Sequence, residues 1–222
     1  YKVRKKFNTF VPVQPNMEMK RFFTIVSAVV ALTACDKVVT PDASIEPRTA
    51  VVDYDGGTSV FALTCNTTWT ATCDYEEVTV IPSSGEGDAT ITVTVPPSTY
   101  EDTRSIRVTV VAANDESTTT HTARHIITLE AKPFIRLAQT SGYVSPDGGG
   151  VRINVYSNTE WTAKADPADF VTLSQAEGSD NASLTVTVPE NNTGASRTAH
   201  IPLSLKDVPG VSAEYALTQN AK

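Results

Sequence analysis

The sequence predicts an all-β protein made of two tandem sandwiches. Three observations carry that prediction. Apolar and polar residues alternate with period two over several short runs, the signature of half-buried strands. Turn-forming clusters such as SPDGGG, EGSDN and PENNTG separate the runs. The hexamer NTTWTA at residues 66–71 returns as NTEWTA at residues 158–163, so the pattern repeats. About seven short strands per repeat, with turns about every 8–12 residues, predict an immunoglobulin-like sandwich in each.

Residues 1–34 read as an upstream segment and an export signal. Lys20 and Arg21 precede an apolar run over residues 22–32. That run is too short to span a bilayer as a stable helix and the right length for a signal peptide. It ends in Leu32-Thr33-Ala34-Cys35, which resembles a bacterial lipobox. There the Cys35 thiol is acylated and becomes the new N-terminus. Residues 1–16 are expected to precede the true start, at Met17 or Met19. Residues 35–44 then form the lipidated cysteine and its tether. The expected location is the bacterial cell envelope: lipid-anchored at the outer membrane, on its surface or its periplasmic face. Several acyl chains would hold the protein firmly, since one chain gives only marginal binding.

The repeats follow at residues 45–132 and 133–222. Trp69 aligns with Trp161, Arg104 with Arg197, and the run Val-Thr-Val-Pro occurs at residues 93–96 and 186–189. Lys132-Pro133 is the joint, short enough to hold the units end to end. In the second unit Val151, Ile153 and Val155 alternate with Arg152, Asn154 and Tyr156. A later run alternates Ala199, Ile201, Leu203 and Leu205 with His200, Pro202 and Ser204. Pro202 cannot donate to a ladder, so an edge strand or a bulge is expected there.

Parity assigns the tryptophans. Trp161, Ala163 and Ala165 share one face, and Trp69, Ala71 and Cys73 share the equivalent one. A small apolar face is a core face, so both Trp residues are expected as core anchors rather than ligand platforms. Cys65 and Cys73 also point inward. An exported compartment permits a disulfide between them. Ser157 and Ala165 hold the equivalent places in unit two, so the fold does not require the bridge, and the question stays open.

The charge narrows the function. Residues 1–34 carry six basic residues and one acid, which leaves 12 basic and 24 acidic residues in the remainder. So acidic a domain lacks the basic footprint of a nucleic-acid binder. There is no phosphate loop, no catalytic triad with its supporting motif and no metal-ligand spacing. Neither a metal nor a cofactor is expected, and the chain does not read as an enzyme. Sugar binding would need exposed aromatics with polar neighbours. The outward or loop aromatics are Tyr54, Tyr75, Tyr100, Tyr143 and Tyr156. Tyr156 is the leading candidate, its parity outward beside Asn154 and Asn158, with Tyr143 as a further ligand-binding candidate.

The runs GGGVRINVYSNTEWTA, FVTLSQAEGS, ASLTVTVPENNTGASRTAHI and ALTQ together resemble the BACON domain. Residues 142–219 carry the resemblance best, including Asn191, Arg197, Thr198 and Gln219. The first unit departs from it. Glu77 stands near the place of Phe170, and Leu129 replaces the closing Gln. The resemblance implies an immunoglobulin-like sandwich and no catalytic residues. It further implies one of two roles: a glycan- or mucin-binding module, or a structural spacer and scaffold for envelope protein partners.

Overall fold

The computed structural model describes residues 38–116 and 118–222, and Cys35 lies outside them. Among the described residues the first repeat forms nine strands. They are β1 (Ala43–Glu46), β2 (Thr49–Val52), β3 (Gly57–Cys65), β4 (Thr68–Cys73), β5 (Thr79–Ile81), β6 (Ser84–Glu86), β7 (Ala89–Val95), β8 (Arg104–Ala113) and β9 (His121–Leu129). The second repeat forms β10 (Ile135–Leu137), β11 (Ser141–Val144), β12 (Gly149–Ser157), β13 (Glu160–Ala163), β14 (Thr172–Leu173), β15 (Glu177–Ser179), β16 (Ala182–Val188), β17 (Arg197–Leu205) and β18 (Ser212–Gln219).

Each repeat makes a four-stranded and a five-stranded sheet. The first has β1-β3-β7-β5 facing β2-β9-β8-β4-β6, and the second has β10-β12-β16-β14 facing β11-β18-β17-β13-β15. The strand orders are identical once the numbering is shifted by nine, so the sequence repeat is a topological repeat. β2 and β11 run parallel to β9 and β18, while the other pairs are antiparallel. This is an immunoglobulin-like sandwich with more strands than sequence periodicity shows. The additional ones, such as β5, β6, β14 and β15, are two or three residues long and too short to display a period.

Two expectations are corrected. The first sandwich begins at Ala43, within the expected tether: Ala43 and Ser44 pair with Cys65 and Thr64. Pro202 marks neither an edge nor a bulge. β17 is interior and pairs with β18 in unbroken register from Arg197 to Ser204. The missing N–H falls on the other side of β17, where β13 has already ended, and the Pro202 carbonyl accepts from Lys164 N at 3.1 Å. No bond to β18 is lost.

Each sandwich closes over its own core. Phe61, Leu63, Ile91, Ile106 and Ile127 fill the first, and Trp161, Leu184, Ile201, Leu203 and Tyr215 fill the second. The tryptophans lie at 3% and 0% exposure, which places them in the core and rules them out as platforms. Each indole N–H is satisfied by the turn that follows the short strand paired with the Trp strand, β6 or β15. Trp69 Nε1 donates to Gly87 O (2.9 Å) and Trp161 Nε1 to Asp180 O (3.3 Å). Gly85 and Gly178 make room for the rings: a Cβ at Gly85 would lie 2.7 Å from Trp69 Cζ2, and one at Gly178 would strike Trp161 more closely still.

The repeats differ at the buried position beside Phe61. His125 occupies the place of Tyr215 and is fully buried. Its Nδ1 donates to Pro47 O at 2.8 Å, and its Nε2 faces Ser59 Oγ at 2.8 Å. Burial holds its pKa below the ordinary 6.5, partly opposed by the bond to the Pro47 carbonyl. The folded state therefore favours neutral His125. Below about pH 6.5 the unfolded chain takes up a proton that the folded chain refuses, so stability falls with pH. Above that pH this contribution is constant. Chemical denaturation across that range is expected to show the first sandwich weakening on acidification. The His125→Gln variant is expected to have a shallower slope, and an unchanged slope would refute the assignment.

Candidate functional site

The candidate surface is the outer face of the sheet β10-β12-β16-β14. Alternation along β12 sends Ile153 and Val155 into the core and Arg152, Asn154 and Tyr156 outward. The register completes the face. Arg136 lies opposite Tyr156, Ser183 opposite Asn154, and Thr185 opposite Arg152. Together Arg152, Asn154, Tyr156, Asn181 and Ser183 line a shallow depression of about 400 Å³. Tyr156 is 41% exposed, enough to offer part of its ring to solvent. The surface thus combines one aromatic face with amide, hydroxyl and guanidinium groups. It holds no nucleophile-and-base pair, and the described residues contain no group of three or more His, Cys, Asp or Glu placed to hold a metal ion.

Two of the four expected ligand residues lie elsewhere. Asn158 is past the end of β12, and its amide is committed to the joint between the repeats. Its Oδ1 accepts from Phe134 N (3.1 Å), and its Nδ2 donates to Lys132 O (3.0 Å) and Glu101 O (3.2 Å). Tyr143 is 75% exposed but sits on β11, in the opposite sheet from Tyr156. The two tyrosines therefore cannot form one platform. Tyr75 and Tyr100 are engaged with each other. Their hydroxyl contact, aided by burial and nearby negative charge, pushes the Tyr75 pKa up to about 12. The Arg104 guanidinium covers the Tyr100 ring at 4.1 Å.

The joint is braced further. Arg136 Nη1 donates to both Glu101 carboxylate oxygens at 2.5 and 2.7 Å, and its guanidinium lies 4.3 Å over the Phe134 ring. Lys132 N donates to Tyr100 O at 2.7 Å.

The disulfide is not formed: Cys65 and Cys73 are both free thiols. Parity placed both facing inward, but they lie at opposite ends. Cys65 sits at the turn into β4, its Sγ against Thr67 O at 3.4 Å. Cys73 closes the six-residue β4 in the facing sheet, roughly 17 Å along the strand from that turn. A bridge requires Cα atoms within about 7 Å.

The motif residues Asn191, Arg197 and Gln219 converge, but inward. Gln219 is fully buried; its Nε2 donates to Ser145 O (3.0 Å), Pro146 O (3.3 Å) and Pro189 O (2.8 Å), and its Oε1 accepts from Arg197 Nε (2.9 Å). Arg197 also lies 4.1 Å over Phe170. Buried Asn191 donates to Ala195 O and Asn220 O. The network clamps three loops and the C-terminal segment. It is a structural device with no open coordination for a ligand.

The model of the BACON family, described as "Putative binding domain, N-terminal", matches residues 67–130 and 159–208. No curated protein matches the sequence. Among solved structures, the chain is similar to protocadherin gamma B2 extracellular cadherin domains 3–6, at 10% identity and a TM-score of 0.52, covering 82% of this chain and 50% of that one. It is also similar to protocadherin gamma B7 cadherin domains 1–4, at 10% identity and a TM-score of 0.50, covering 81% and 50%. A Bacteroides ovatus GH5 xyloglucanase in complex with a XXXG heptasaccharide matches at 20% identity and a TM-score of 0.36, covering 40% of this chain and 19% of the enzyme. The cadherin likeness is one of fold. The chain spans half or less of each of these three structures.

Proposed function

The chain belongs to the BACON family of binding domains, and on that premise we propose that it is a non-enzymatic, lipid-anchored cell-envelope protein that binds glycan on the outer face of its second sandwich. The observation that carries the reading is Tyr156 set among Arg152, Asn154, Asn181 and Ser183 in one depression. A pyranose presents C–H groups on its face and hydroxyls on its rim. An aromatic ring flanked by amide and guanidinium groups suits both, giving apolar contact with directed hydrogen bonds. The sequence Leu32-Thr33-Ala34-Cys35 supports attachment through an acylated Cys35.

The test is a titration of the purified protein against mucin glycans and plant polysaccharides. Saturable binding is expected, weakened about tenfold by Tyr156→Ala, since a stacked aromatic contributes on the order of 1 kcal/mol beyond its buried area.

The braced joint favours a second reading, a spacer or protein-interaction scaffold. Asn158, Glu101 and Arg136 hold the repeats in a set relation, which suits a rigid arm. Flat titrations from a folded protein would select it.

A further inference from the structure

The first sandwich carries a second candidate surface with different chemistry. β2 pairs with β9 only from Ile126 to Leu129, so the first half of β9 is left open beside β1. The opening is a cleft of about 340 Å³ lined by Ala43, Ile45, Arg48, His121, Thr122 and Arg124. Two arginines and a histidine therefore line one cleft, on a protein whose residues 35–222 carry twice as many acids as bases. Among the described residues neither Arg48 nor Arg124 is in an ion pair with a carboxylate. Asp42 stands beside the histidine, its Oδ1 2.9 Å from His121 Nδ1, and Ala43 N donates to the same nitrogen at 2.8 Å.

The second repeat supplies an internal control. Ile126 N donates to Arg48 O, and Ala216 N donates to Thr140 O in the same way. Those bonds align Arg48 with Thr140 and Arg124 with Glu214. The fold therefore does not require arginine at either position. Where one repeat gathers cations, the other places a neutral residue and an acid.

We propose that the β1–β9 cleft of the first sandwich binds the oxyanion group of an acidic saccharide, a uronate carboxylate or a sulfate ester. Guanidinium groups match planar and tetrahedral oxyanions through paired N–H donors, and a partly enclosed cleft reduces their screening. The ligand class rests on the glycan reading, but the cleft is independent of Tyr156.

The test titrates the isotope-labelled protein with three oligosaccharides: tetragalacturonate, its fully methyl-esterified form, and a sulfated galactan tetrasaccharide. Backbone amide shifts report the location. At least one acidic probe is expected to shift His121, Thr122 and Arg124 and to bind at least about tenfold more weakly to the Arg48→Gln/Arg124→Gln variant. Preference between the two acidic probes identifies carboxylate or sulfate as the group recognised. Asp42→Asn is expected to tighten binding, a gain that misfolding would not produce. Tyr156→Ala is expected to leave the acidic interaction unchanged. Equal binding of charged and esterified probes, no binding of either acidic probe, or an unaltered double variant would overturn the proposal. Loss of saccharide binding confined to Tyr156→Ala would overturn it too, while leaving the second-sandwich reading intact.

Discussion

Trp161→Ala is expected to destabilise the second sandwich by about 3–5 kcal/mol, the usual cost of deleting a large buried aromatic. Trp161 is fully buried, packs against the backbone at Gly178 and donates its indole N–H to Asp180 O. Deletion leaves a cavity in the middle of a small core and an orphaned carbonyl in the adjoining turn. Such a domain has roughly 5–15 kcal/mol of total stability, so the loss takes a large share of it. Urea denaturation followed by circular dichroism reads the change directly. Gly178→Ala attacks the same contact from the other side and is expected to be destabilising without removing any atom. A Trp161→Ala variant within 1 kcal/mol or so of wild type would mean that the indole is a replaceable surface group.

Gln219→Leu is expected to cost roughly 2–4 kcal/mol, although leucine fits the corresponding register in the first repeat. Arg104 pairs with Leu129 as Arg197 pairs with Gln219. In the first repeat the arginine stacks on Tyr100 and no buried amide is present. In the second, the Gln219 amide donates to three carbonyls and accepts from Arg197, so its loss leaves several buried groups unpaired at once. The reverse change, Leu129→Gln, would bury an amide without that cradle and is expected to be unfavourable as well. Equilibrium unfolding of both variants checks the pair. A neutral Gln219→Leu would show that the loops around it are held by other contacts.

Local alternation carried the fold a long way. Trp161, Ala163 and Ala165 share a face in the sequence and lie in the core of the structure. Parity says which way a side chain points, and only while the strand lasts. Asn158 continues the outward parity of Asn154 and Tyr156, but β12 ends at Ser157 and the turn carries Asn158 to the joint. Cys65 and Cys73 both face inward, yet parity holds no information about distance along a hairpin. Pro202 was misplaced because sheet order is a property of long-range pairing. The partners of Gln219 lie as far as 74 residues away, so only the family resemblance flagged it. The basic cleft was invisible for the same reason: Arg48 and Arg124 are brought together by a parallel pairing that sequence periodicity does not encode. Of the candidate ligand surface, Arg152, Asn154 and Tyr156 were legible from alternation, while Arg136 and Ser183 needed the register and Asn181 the turn before β16.

The most direct test of glycan binding at the second sandwich is a chemical-shift map of the isotope-labelled protein against the tightest-binding neutral polysaccharide fragment. The expected perturbations cluster at Arg152, Asn154, Tyr156, Asn181 and Ser183 and disappear in Tyr156→Ala. Perturbations confined to the opposite sheet around Tyr143, or none at saturating fragment, would contradict the assignment and leave the braced spacer as the better account.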